Sequence, residues 1–127
     1  PICDLQHLFD TSSQMVIYGR TTFDSTTSVN TVKASSYSPA GKVYYKTVTF
    51  SDGSNGIPAF TISTPVILLT IHTGNTSGTV SNYAADAVAN VYNVTSTSFN
   101  IRLFMQETIG TSDKIYINWT AIGPKNK

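Results

Sequence analysis

Hydrolysis of a glycan generally needs two carboxylates at a set separation. This chain of 127 residues offers one glutamate, Glu107, and six aspartates, Asp4, Asp10, Asp24, Asp52, Asp86 and Asp113. Asp24, Asp52, Asp86 and Asp113 fall in segments that read as loops or strand edges, where aspartate side chains bond nearby backbone and shape turns. No pair of carboxylates stands out. A Ser/His/Asp arrangement would have to use His7 or His72, and the sequence has no Gly-x-Ser-x-Gly elbow to present a nucleophile. His7 lies in the lead-in of the chain, which leaves His72 as the one candidate base. Cys3 is the single cysteine, so neither an internal disulfide nor a cysteine-based zinc site is expected. Cys3 and His7 are close in sequence, but two ligands do not make a metal site. The residues therefore point away from catalysis, metals and cofactors and towards binding.

Arg102 carries the clearest binding signal. It sits mid-strand on a face that looks outward, and its planar donor fork suits sugar hydroxyls or the carboxylate of an acidic sugar. The competing reading is structural: a pair with Glu107 or Asp86, or a guanidinium stacked on Phe104. Seven tyrosines accompany it. Tyr44, Tyr92 and Tyr116 lie within strands and read as packed rings with wet hydroxyls. Tyr37 and Tyr83 lie in polar loops, where tyrosine gives rigid amphipathic contact area. Asn75, Asn93 and Asn118 begin Asn-x-Ser/Thr sequons, which nine asparagines among so many hydroxyl residues produce by chance.

The elements that position these residues are strands. Serine and threonine number 15 and 19, and Val, Ile, Thr, Tyr, Phe and Trp together make 54 of the 127 residues. That is strand composition. Leucine numbers 5, glutamate 1 and glutamine 3, too few strong helix formers for a helical bundle, coiled coil or dinucleotide-binding domain. The length fits one domain. Net charge is +1, with six lysines and two arginines scattered along the chain, so nucleic acid is not an expected partner. No window approaches the ~18 apolar residues of a membrane span. Pro1-Ile2-Cys3-Asp4 has neither the basic nor the apolar region of a signal peptide, and a first residue other than Met suggests a processed chain or a fragment.

Residues 1–13 read as a connector, with Leu5, Leu8 and Phe9 spaced for a single helical turn. Residues 14–127 read as one β domain. Gln14–Phe23 alternates as a strand whose internal Gly19 signals a bulge or a close backbone approach. Residues 24–41 read as a loop with at most one short edge strand. Residues 42–50 form the next strand, with Tyr44, Val48 and Phe50 on one face and Lys46 interrupting it. A turn cluster follows at 51–56 and an irregular edge segment at 57–62. The apolar run 65–73 reads as a strand buried on both faces. Residues 88–94 and 99–105 form a hairpin about the Thr95–Ser98 turn. Residues 114–123 close the chain, with Ile115, Ile117, Trp119 and Ala121 as the core face. Six or seven antiparallel strands predict an all-β sandwich.

Five pieces occur in a recognisable order: Tyr18-Gly19-Arg20-Thr21, then Thr47-Val48-Thr49-Phe50 leading into a proline-containing segment, the apolar strand Val66 to His72, Asn93 through Ile101, and Ile117-Asn118-Trp119-Thr120-Ala121-Ile122-Gly123. In this order, over residues 14–123, the chain resembles the C-terminal, receptor-binding tip domain of bacteriophage tail fibres, and it is similar to the H-type lectin domain. The resemblance implies a six-stranded sandwich assembled as a parallel homotrimer that binds a host cell-surface glycan or protein receptor. It places the chain on the virion, outside the cell. Sugar would be gripped between protomers, with Arg102 and His72 at positions matching the lectin pattern, although no tryptophan stands beside His72. An ion on the trimer axis is compatible with such fibres and unreadable from one chain. The candidate site is Arg102, His72 and Tyr83. A structural cap without receptor binding, or a secreted lectin, are the alternatives.

Overall fold

The structure, a computed structural model, describes residues 14–34, 37–54, 56, 59–60, 64–73 and 87–124. The connector 1–13, His7, Tyr83 and Asp86 lie outside the described residues.

Among the described residues seven strands form two antiparallel sheets. The first strand, β1, spans Gln14–Phe23; β2 and β3 span Val29–Ala34 and Tyr37–Thr49; a single 3₁₀ turn covers Phe50–Asp52. The strands β4, β5, β6 and β7 span Val66–Thr73, Val88–Tyr92, Ser98–Met105 and Ile115–Pro124. One sheet runs β1-β7-β4 and the other β2-β3-β6-β5. Alternation decides which side chains each sheet turns inward. Ile115, Ile117, Trp119 and Ala121 are buried from β7, and Phe99, Ile101, Leu103 and Met105 from β6. The two sets meet where the rings of Phe99 and Trp119 approach to 5.4 Å edge to face. Phe50 and Phe60, 4.9 Å apart, close one end of the core. They are held there by Phe50 N–H donating to the Thr97 carbonyl and Phe60 N–H to the Ser96 carbonyl. The all-β sandwich is thus the architecture of the chain, and Trp119 and Phe99 are core residues.

Tyr44 is fully buried. A buried hydroxyl needs a partner, and it accepts a 2.8 Å bond from the Ile109 N–H. Lys46 shares this inward face, which explains the break in the apolar pattern. Its stem runs out at the open side of the sandwich and Nζ donates to the Thr22 carbonyl at 2.6 Å, tying β3 to β1 across the two sheets.

Two expectations need correction, and one of two readings of Gly19 is selected. The segment 24–41 is largely a hairpin of β2 and β3, not a loop. Its first strand, Val-Asn-Thr-Val-Lys-Ala, gives little alternation, and Pro39 sits on the part of β3 beyond the β6 partners, where a missing N–H costs no ladder bond to that strand. A register shift between Val32 and Ala34 accommodates the irregularity. The strand β4 is not buried on both faces. It is the edge of a sheet covered on one side, so Val66 and Leu68 are 58% and 55% exposed on the other. Gly19 makes no bulge, because β1 pairs with β7 in unbroken register from Gln14↔Pro124 to Phe23↔Ile115. The glycine serves close approach: a Cβ there would lie 2.6 Å from the Trp119 ring. Phe104 is half-buried, with its ring over Gly41, where a Cβ would lie 2.1 Å away.

Candidate functional site

The link between β1 and β2 is Asp24-Ser25-Thr26-Thr27-Ser28. Short polar side chains here replace secondary-structure bonds with bonds to nearby backbone. The Asp24 carboxylate accepts from the Thr26 N–H at 2.9 Å and from the Thr26 hydroxyl at 2.5 Å. The Asp24 N–H donates to the Thr27 hydroxyl at 3.0 Å. The hydroxyl and then the N–H of Thr26 stabilise the ionised carboxylate, so the Asp24 pKa lies below its ordinary value. The turn is fixed to the second sheet by the Tyr45 N–H, which donates to the Ser28 carbonyl at 2.9 Å.

Between this turn and β3 opens a cleft of about 600 Å³. Hydroxyls from Thr22, Thr26, Thr27, Ser28 and Thr47 line it, with Asp24 and Lys46 as its charges and Tyr45 and Tyr92 as its rings. The two rings stand 6.5 Å apart at 80°, an edge-to-face pair that fixes the aromatic wall. Register explains the wall: Tyr45 is opposite Arg102 on β6, and Tyr92 on β5 is opposite Asn100, so all four point away from the core. The Arg102 guanidinium lies over the Tyr92 ring at 4.4 Å. Asn100 accepts from the Thr47 hydroxyl at 2.9 Å. Arg102 therefore borders the cleft through Tyr92, and its stacking partner is Tyr92 instead of Phe104.

His72 is elsewhere. It lies on the outward face of β4 in the three-stranded sheet, on the opposite side of the sandwich from Arg102. Its Nδ1 lies 3.3 Å from Nη2 of Arg20. A single protomer does not bring Arg102 and His72 together, and Tyr83 lies outside the described residues.

Sequence reasoning missed Asp24, Thr26, Tyr45, Lys46 and Arg20. Two signals were available. Asp24 heads a run of four hydroxyl residues, and Tyr45 must face outward once Tyr44 is placed in the core. What sequence could not supply is the pairing of Tyr45 with Arg102. Among the described residues no group of three or more His, Cys, Asp or Glu side chains comes together, and no helix is long and apolar enough to cross a membrane. Comparisons with family models, with curated proteins and with solved structures find no match for this chain.

Proposed function

We propose that the chain is a saccharide-binding adhesion domain, the receptor-binding tip of a virion tail fibre that attaches to a host cell-surface glycan. The observation that carries this reading is the cleft, in which hydroxyls, a carboxylate held ionised, an ammonium and two rings converge on one open site. Sugars present both hydroxyls that need donors and acceptors and C–H faces that pack on rings, and the cleft supplies both kinds of contact. Among the described residues Asp24 is the one carboxylate lining it, whereas hydrolysis calls for two. That favours binding over turnover.

Self-assembly belongs to the same reading. Val66, Leu68 and Tyr18 crowd one end of the outward face of the three-stranded sheet, each more than half exposed. A second copy of the chain, in a homotrimer, would cover this end. The same feature favours the alternative that the domain only caps and trimerises a fibre.

A glycan array separates the two. The domain is expected to retain a restricted set of glycans, and Tyr92→Ala is expected to lose the neutral ones among them while keeping its fold. An array on which the folded wild-type domain retains nothing would leave the structural cap as the better account.

A further inference from the structure

The outward face of the three-stranded sheet holds a polar cluster that the cleft does not use. Arg20 leaves β1, crosses β7 and reaches β4. Its Nε donates to the Asn118 side-chain oxygen at 2.7 Å. Its guanidinium lies over the Tyr116 ring at 4.7 Å, and Nη2 reaches Nδ1 of His72 at 3.3 Å. His72 and Tyr116 themselves stand 6.1 Å apart. Three strands thus hold one guanidinium in a fixed plane on an exposed surface. A flexible cation normally loses rotamer freedom on binding an anion, and here that ordering has already been done.

The donors are only partly spent. Nε and one Nη2 proton are engaged, which leaves Nη1 and the second Nη2 proton for a ligand. Among the described residues nothing neutralises the charge. The strands β1, β4 and β7 contain no aspartate or glutamate, and among the described residues no carboxylate pairs with Arg20. A planar, uncompensated guanidinium with a free donor edge binds oxyanions best, because two parallel N–H bonds to one anionic group are shorter and stronger than neutral ones.

We propose that Arg20, positioned by Asn118, Tyr116 and His72, forms a second binding site, separate from the cleft, for the oxyanion of an acidic saccharide. The choice of a saccharide rests on the reading of the domain as glycan-binding, whereas the preference for an oxyanion rests on the cluster alone. The rows of Arg20 and His72 lie away from Val66, so in a trimer closed through the apolar end the site stands at the rim of the interface.

Calorimetric titration of the intact chain tests this with four probes: 3′-sialyllactose for a carboxylate, lactose 3′-sulfate for a sulfate, lactose as the neutral match, and sodium sulfate as the bare ion. The wild-type chain is expected to bind at least one acidic saccharide at least about tenfold more tightly than lactose, the scale of one charge-assisted contact. Arg20→Gln and Arg20→Lys, each checked for an unchanged circular dichroism spectrum, should both remove that preference, since lysine keeps the charge but loses the fork. Arg102→Gln and Tyr92→Ala should keep it, which separates failure of this site from failure of the cleft. Equal binding of lactose, a preference that survives in both Arg20 variants, or sodium sulfate binding as tightly as the acidic saccharide would overturn the proposal.

Discussion

Arg102 and Arg20 pose the same question at the scale of single residues: whether an outward guanidinium on a sheet packs or binds. Each lies over a tyrosine ring, and such a stack at an exposed site is worth about 0.5–1 kcal/mol. Packing alone is therefore a weak reason for either. Arg102→Ala is expected to lower stability by no more than about 1 kcal/mol in urea unfolding; a larger loss would mark Arg102 as a structural residue. Asp24 allows a sharper test. Its carboxyl is held below its ordinary pKa by Thr26, so the turn is stabilised at neutral pH and loses that contribution as pH falls through the depressed folded value. Removing the hydroxyl with Thr26→Val should move the Asp24 carboxyl back towards its ordinary value, read from its carbon NMR titration. An unmoved titration would show that the hydroxyl bond does not hold the charge. Arg102 was legible from alternation alone. The turn bonding of Asp24 was legible from its place in a hydroxyl-rich loop, but Tyr45 was not, because its role depends on Arg102 and Tyr92 brought beside it by strand pairing.

At the scale of elements, close packing against Trp119 dominates. Gly19 faces that ring so tightly that Gly19→Ala should cost about 1–3 kcal/mol through forced displacement of the indole. Trp119→Ala should cost about 3–5 kcal/mol. Tyr44→Phe leaves the buried Ile109 N–H without its acceptor and should cost about 1–3 kcal/mol. Thermal or urea unfolding checks all three. A stable Trp119→Ala domain that only loses ligand would invert the assignment of faces. The strands β1, β5, β6, β7 and the 42–49 part of β3 were legible in the sequence, most plainly β6 and β7, whose inward faces are wholly apolar. The hairpin of β2 with the first part of β3 was obscured because β2, Val-Asn-Thr-Val-Lys-Ala, is a sheet edge without regular apolar alternation, and Pro39 and Gly41 interrupt the start of β3. The apolar run of β4 misled for a different reason: its sequence fits burial on both faces, and within one chain only one face is covered.

That mismatch is an argument at the scale of the whole molecule. A strand with Val66 and Leu68 more than half exposed beside Tyr18 is expected to be covered by another copy. Light scattering should report three times 13.7 kDa, about 41 kDa, and Leu68→Asp should reduce it to the monomer. A monomeric wild type would remove the assembly, and a trimeric Leu68→Asp would place its interface elsewhere. The sandwich was legible in composition and alternation, since both report burial averaged over the chain. The cleft was not, because it is formed by a turn meeting strands distant in sequence. The account as a whole depends on that cleft taking a saccharide. The most direct measurement is a backbone-amide NMR titration of the chain with a glycan retained on the array. The account predicts shifts centred on Thr26, Thr27, Ser28, Tyr45, Lys46 and Tyr92. A glycan that binds while those amides stay still would contradict it.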